Sequence, residues 1–133
     1  MSVRSVTYVR RVAWSDVDAS GAWRFTAPFD YVEDAETQLM RDLGVLHETA
    51  LHLPRIYVDA SFKSPARFDD EVSVTLQVAG LGRSSIHFVF SITNGDRLAV
   101  EGKLGVAFVG ASGRAEELPE FLRAALETGR PAA

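Results

Sequence analysis

An α+β fold, one long helix held against an antiparallel sheet, is what this sequence predicts, and three observations carry the prediction. Residues 28–43 repeat their apolar side chains at helical spacing. Five other stretches are rich in β-branched and aromatic residues, the composition of strands. Asn94-Gly95, between the last two of these stretches, is the dipeptide that tight hairpins favour, because both turn residues must adopt positive φ.

Taken in order, residues 7–14 (TYVRRVAW) read as the first strand, which runs into the turn SDVDASG. In the helix, Phe29, Val32, Leu39, Met40 and Leu43 form the apolar stripe. Thr26 can cap its start, Pro28 suits a first turn that has no N–H bond to lose, and Gly44 supplies a stop. Asp30, Glu33 and Asp34 crowd the front of the helix and Arg41 lies near its end, which suits the helix dipole. After a loop containing Pro54, strands are predicted over 56–62, 72–79, 86–93 and 98–109. Pro65, Gly80-Leu81-Gly82 and Asn94-Gly95 separate them, and the four are expected to form an antiparallel meander. Ile86, Phe88 and Phe90 alternate with His87, Val89 and Ser91, as on a sheet with one buried face. Leu118-Pro119 then opens a short terminal helix over 118–127.

The chain of 133 residues, 47% of them hydrophobic, is expected to form one domain over 1–133 with a real core. It has no cysteine, which excludes disulfides, zinc–thiolate sites and a thiol nucleophile. A net charge of −4 argues against a nucleic-acid partner. No apolar run approaches the roughly 20 residues that span a bilayer, and MSVRSVTYVRR lacks the apolar segment of a signal peptide. A cytoplasmic protein without membrane partners is the expectation.

The least generic stretch is Asp16-Val17-Asp18-Ala19-Ser20-Gly21, two carboxylates two residues apart in a turn between strand and helix. They could be turn makers, metal ligands, or one catalytic group with a supporting neighbour. In isolation the pattern reads first as a hydrogen-bonded turn. A calcium loop needs further oxygen ligands at fixed spacing, and none follow. His47, His52 and His87 have no metal-like spacing, so no metal is expected.

Asp16 to Gly21, then Trp23 and Phe25, then Phe29-Asp30-Tyr31-Val32-Glu33 and Ala35 through Leu43-Gly44, resemble the hotdog-fold thioesterases of the 4-hydroxybenzoyl-CoA thioesterase-like group. Ala60-Ser61-Phe62, the stretch from Arg67 to Val72 and the turn Gly82-Arg83-Ser84-Ser85 continue the likeness, which covers nearly the whole chain except the terminal helix. The resemblance implies a five-stranded sheet wrapped around one helix. There are departures. Many relatives carry histidine or tyrosine at the position of Phe25, tyrosine at that of Pro28 and an aromatic at that of Arg24.

By this resemblance, Asp18 is the catalytic carboxylate of an acyl-CoA thioesterase, acting as nucleophile or as general base toward water. The backbone N–H of Phe25 is the implied oxyanion donor, a role indifferent to the side chain. Gly21 relieves the turn beside the substrate, and Asp16 holds it. Glu33 is implied at the acyl pocket, with a solvated helix carboxylate as the plainer reading. Glu36 lies near the buried face but matches less well. Arg67, Arg83, Ser84 and Ser85 are implied contacts of the nucleotide, with Lys63 more simply a solvated residue. Coenzyme A is then part of the substrate and no cofactor is required.

Two rival functions stay open at this point. An acyl-carrier-protein thioesterase would use the same chemistry, and a hotdog protein that binds an acyl ligand without turnover would not need a side chain at position 25. A dehydratase would want a histidine on the helix, and 28–43 contains none. The family implies a homodimer, and commonly a tetramer, with each site shared between subunits.

Overall fold

The computed structural model describes residues 4–50 and 52–132. The chain runs through β1 (Ser5–Arg11), a single 3-10 turn (Trp14–Asp16), α1 (Ala27–Asp42) and α2 (Leu46–Thr49). It continues as β2 (Arg55–Phe62), β3 (Glu71–Leu81), β4 (Ser85–Asn94), β5 (Arg97–Ala107) and α3 (Glu120–Thr128). The five strands form one sheet in the order β1-β3-β4-β5-β2, antiparallel throughout. The predicted α+β architecture is therefore observed.

The sheet buries one face. Val6, Leu76 and Phe90 lie in one cross-strand row, and Val78, Phe88, Leu104 and Val58 in another. Onto this face α1 lays Tyr31, Val32, Ala35 and Leu39, followed by Leu43 just past its end, all buried, while Leu122 and Leu126 of α3 extend the same core. The opposite row of β3 and β4, with Ser73, Thr75, Gln77 and Ser91, stays at the surface, as period-2 patterning requires. A tight hairpin joins β4 and β5 where the Asn-Gly pair predicts one, but its turn residues are Gly95 and Asp96: Asn94 belongs to β4, paired with Arg97, and only Gly95 takes a positive φ, 61°. At Gly44, φ 70° lets the chain leave α1 while Val45 N–H reaches back to Met40 O.

Several boundaries differ from expectation. The first strand stops at Arg11, not at residue 14, because Asp16 accepts the Ala13 N–H and curls 14–16 into a 3-10 turn. Thr26 is not a side-chain cap. Its backbone is already helical, and the entry is made by Ala27 N–H to Arg24 O. The segment after Gly44 includes one helical turn, closed by the Thr49 hydroxyl on Val45 O. β5 ends at Ala107, beyond which Val109 makes only an isolated bridge to Ala115. The terminal helix starts at Glu120 after Pro119.

The larger correction is to the meander, which holds only for β3, β4 and β5. β2 lies at the far edge, beside β5. Two contacts explain the jump. The edge of β3 that β2 would need is taken by β1, from Arg11↔Glu71 to Ser5↔Gln77. At the other edge, Gly102 leaves room for β2. A Cβ there would fall 2.0 Å from Asp59 O and 2.7 Å from Phe90. β2 is thus an edge strand whose Ile56, Tyr57, Val58 and Phe62 remain roughly half exposed. Among the described residues, no helix is long and apolar enough to cross a membrane.

Candidate active site

The aspartate turn hangs between the end of β1 and the start of α1, and its two carboxylates are treated oppositely. Asp16 is buried, 6% exposed, and its Oδ2 accepts from Tyr31 OH (2.7 Å), Ala13 N–H (2.9 Å) and Arg10 Nη2 (3.3 Å). Burial alone would push this carboxyl up. The hydrogen bonds from Tyr31 and Ala13 and the Arg10 charge outweigh it and hold Asp16 below the usual aspartate range. Burial and the bond to Asp16 push the Tyr31 phenol up, so it stays a neutral donor. All three bonds fall on Oδ2 and tie Asp16 to β1, the turn and α1.

Asp18 faces solvent. Its Oδ1 accepts both the hydroxyl (2.6 Å) and the N–H (2.8 Å) of Ser20, and these bonds hold its carboxyl below the ordinary range. Oδ2 has no partner among the described residues. Gly21, at φ 83°, allows the reversal that gives Gly21 N–H to Asp18 O, while Asp18 N–H reaches Ala22 O. The loop 63–70 braces the turn from outside, through Trp23 N–H to Ala66 O and an Ala22↔Arg67 bridge.

Asp18 and Phe25 line one open cleft of about 420 Å³, with Trp23, Phe62, Lys63, Ser64 and Pro65. The Phe25 side chain is 70% exposed. Its backbone N–H precedes the first helical bond of α1 and has no acceptor among the described residues. Asp18, an exposed carboxylate, and Phe25, whose backbone N–H is unused, therefore line the same cleft.

The other predicted residues do not join them. Arg67 flanks the turn, its guanidinium near Gly21, without lining the cleft. Glu33 points to a different place. Arg55 holds Glu36 by two bonds (2.7 and 2.9 Å) and touches Glu33 at 3.2 Å. A hollow of about 430 Å³ adjoins this cluster. It is as large as the Asp18 cleft, but its charged groups are already paired with one another. Arg83, Ser84 and Ser85 form the β3–β4 turn at the other end of the sheet, with β3 between them and the aspartate turn, roughly 30 Å of strand. There Arg83 lies 3.8 Å from Glu117, and Ser85 Oγ pairs with His87 Nε2.

Sequence reasoning missed Ser20 and Arg55. The Asp-x-Ser spacing, which favours a side-chain bond two residues on, signals the first. The second leaves a trace in Glu36, which falls on the apolar stripe four residues after Val32 and so needs a buried cation. His52 bonds Val109 O and His87 lies between Tyr57 and Ser85, so these two histidines are occupied apart from one another. Among the described residues, no three acidic or histidine side chains cluster as metal ligands do.

A sheet wrapped on one helix, with an acidic turn at the helix entrance, defines a hotdog-like thioesterase fold, and comparison with known proteins agrees. Residues 12–126 match the thioesterase-like superfamily, and the chain belongs to that family. Among solved structures it is similar to a thioesterase from Thermus thermophilus complexed with coenzyme A and Zn. The TM-score is 0.85 and the identity 25%, over 95% of this chain and 96% of that one. A 1,4-dihydroxy-2-naphthoyl-CoA thioesterase from Synechocystis superposes with TM-score 0.82 at 18% identity, covering 92% and 95%. A mutant 4-hydroxybenzoyl-CoA thioesterase complexed with 4-hydroxybenzoyl-CoA gives 0.78 at 21% identity, covering 89% and 95%. No curated protein matches the sequence.

Proposed function

We propose that this protein hydrolyses an acyl-CoA thioester to the free acid and coenzyme A, with Asp18 as its catalytic carboxylate. The observation that carries the reading is the shared cleft of Asp18 and the unpartnered Phe25 N–H. The thioester carbonyl oxygen accepts from Phe25 N–H, which stabilises the charge that builds on it during attack. Asp18 Oδ2 attacks the carbonyl carbon, the tetrahedral adduct collapses by breaking the C–S bond and expels the CoA thiolate, and water then splits the resulting mixed anhydride into the free acid and the Asp18 carboxylate. The alternative step is deprotonation of an attacking water by Asp18, which uses the same carboxylate and the same Phe25 donor.

The nucleotide sites require a second copy. β2 offers a free edge of eight residues carrying half-exposed apolar side chains, a strand in need of a partner. Two such edges paired antiparallel about a two-fold axis reverse the second sheet. Arg55, Val106 and Ile86 share one end of the sheet, while Phe62, Val100 and Ile92 share the end of the Asp18 cleft. The partner's Arg83 turn would then approach this copy's cleft, which accounts for a nucleotide-binding turn far from Asp18 within one chain. A homodimer is the unit of function in this reading, and a homotetramer follows from further pairing.

Asp18→Asn tests the chemistry. Thiol release from benzoyl-CoA and hexanoyl-CoA should fall at least about 100-fold with the fold intact. Near-normal turnover in that variant refutes the assignment. The chain has no cysteine to add background to the thiol signal.

A further inference from the structure

We infer that Tyr31 and Arg10 are positioning residues for the Asp18 reaction, acting through Asp16 to set the spacing between the Asp18 carboxylate and the Phe25 N–H; this rests on the function proposed above.

Asp16 is tied at both ends. Its side chain gathers Tyr31 from α1, Arg10 from β1 and the Ala13 N–H onto a single oxygen. Its carbonyl accepts Arg24 N–H at 2.8 Å, across the base of the loop that contains Asp18 and directly before Phe25. The two arms of that loop are joined again by the Val17↔Trp23 bridge. Any shift of Asp16 relative to α1 is therefore passed along one arm to Asp18 and across the strut at Arg24 to Phe25.

What prevents the shift is the buried network. Arg10 reaches Asp34 of α1 at 2.8 Å, and its guanidinium carbon lies 4.4 Å over the Tyr31 ring. The ring in turn packs edge-on against Trp23, centroids 5.9 Å apart. A phenol bonded to a buried carboxylate is a costly group to displace, so the distance between β1, the turn and the front of α1 is firmly set. Neither Tyr31, fully buried, nor Arg10 lines the Asp18 cleft. Packing alone would be met by phenylalanine at 31, so the hydroxyl is the group with a separate task.

The test is a cycle of Tyr31→Phe and Asp18→Asn in the full chain, read as thiol release from benzoyl-CoA, with Arg10→Gln as a second probe of the network. Tyr31→Phe should lower kcat about tenfold with KM changed less than about twofold, and Arg10→Gln should do the same. In the Asp18→Asn background the Tyr31 change should have no further effect, since a positioning residue loses its role with the group it positions. Equal losses in both backgrounds, or a loss carried by KM, would mean that Tyr31 acts through general stability and would overturn the inference. So would normal kcat in both network variants of an enzyme that Asp18→Asn inactivates, an outcome that leaves the proposed function standing. Full activity in Asp18→Asn itself overturns both.

Discussion

Replacing Arg55 with methionine tests how the charged cluster beside α1 contributes to stability. The Arg55 side chain is 36% exposed and that of Glu36 only 9%, and they meet through two bonds of 2.7 and 2.9 Å. Removing one partner of a fully buried pair costs about 3–5 kcal/mol, whereas exposed pairs are worth about 0–1. Arg55→Met leaves the nearly buried charge stranded while its own aliphatic stem is kept, so the loss lies between these limits, about 2–3 kcal/mol. Glu33, 66% exposed on its side of the cluster, adds no more than about 0.5 kcal/mol. For a chain of this length the change corresponds to a fall in Tm of about 8 °C. Thermal unfolding should be followed at one fixed protein concentration, because assembly makes Tm depend on it. The double variant Arg55→Met/Glu36→Met removes the stranded charge and should regain at least half of the loss. A single variant that loses less than about 0.5 kcal/mol, or a double variant no better than the single, refutes the claim that burial of Glu36 sets the cost.

Three further predictions concern activity. Ser20→Ala removes the hydroxyl bond that does most to hold the Asp18 carboxyl below the ordinary aspartate range, so its carboxyl rises toward that range. In the wild type, kcat/KM should hold level as pH falls through that range and drop only below it; in Ser20→Ala the drop moves to higher pH, and an unmoved acid limb counts against Asp18. Arg83→Ala should raise KM for CoA thioesters more than it lowers kcat and leave a thioester lacking the nucleotide untouched. Equal loss on both substrates would assign Arg83 a structural role. Hybrids of Asp18→Asn subunits with Arg83→Ala subunits should recover sites that receive an intact turn and an intact loop; an active monomer at assay concentration sinks the shared site without any variant.

Much of the fold was legible because local periodicity and local geometry agree. Val32, Leu39 and Leu43 repeat at helical spacing and are buried against the sheet, and Gly95 meets a backbone demand no farther away than its own turn. The place of β2 was not legible, since it depends on β1 occupying β3 and on β2 and Phe90 filling the space that the missing side chain of Gly102 leaves, facts spread over the whole chain. Thr26 has the composition of a cap, yet the entry through Arg24 to Ala27 made a cap unnecessary. At the site, the cleft shared by Asp18 and Phe25 follows a contiguous motif, whereas Arg83 lies at the other end of the sheet, a separation no linear spacing reveals.

The pairing of β1 with β3 carries a consequence for how the chain acquires its site. β3, β4 and β5 join through short turns and close early, because little chain entropy is lost in bringing neighbours together. β1 must wait for a partner as distant as Ser5↔Gln77, across the helix and the whole of β2. During synthesis the aspartate turn therefore leaves the ribosome before β3 and becomes ordered only after β3 is in place. In the finished protein β1 is an edge strand paired on one side only, so it opens before central β4 once its ties to α1 are broken. Hydrogen exchange should find the amides of β1 opening while those of β4 stay protected, and catalysis should fade on warming before the sheet melts.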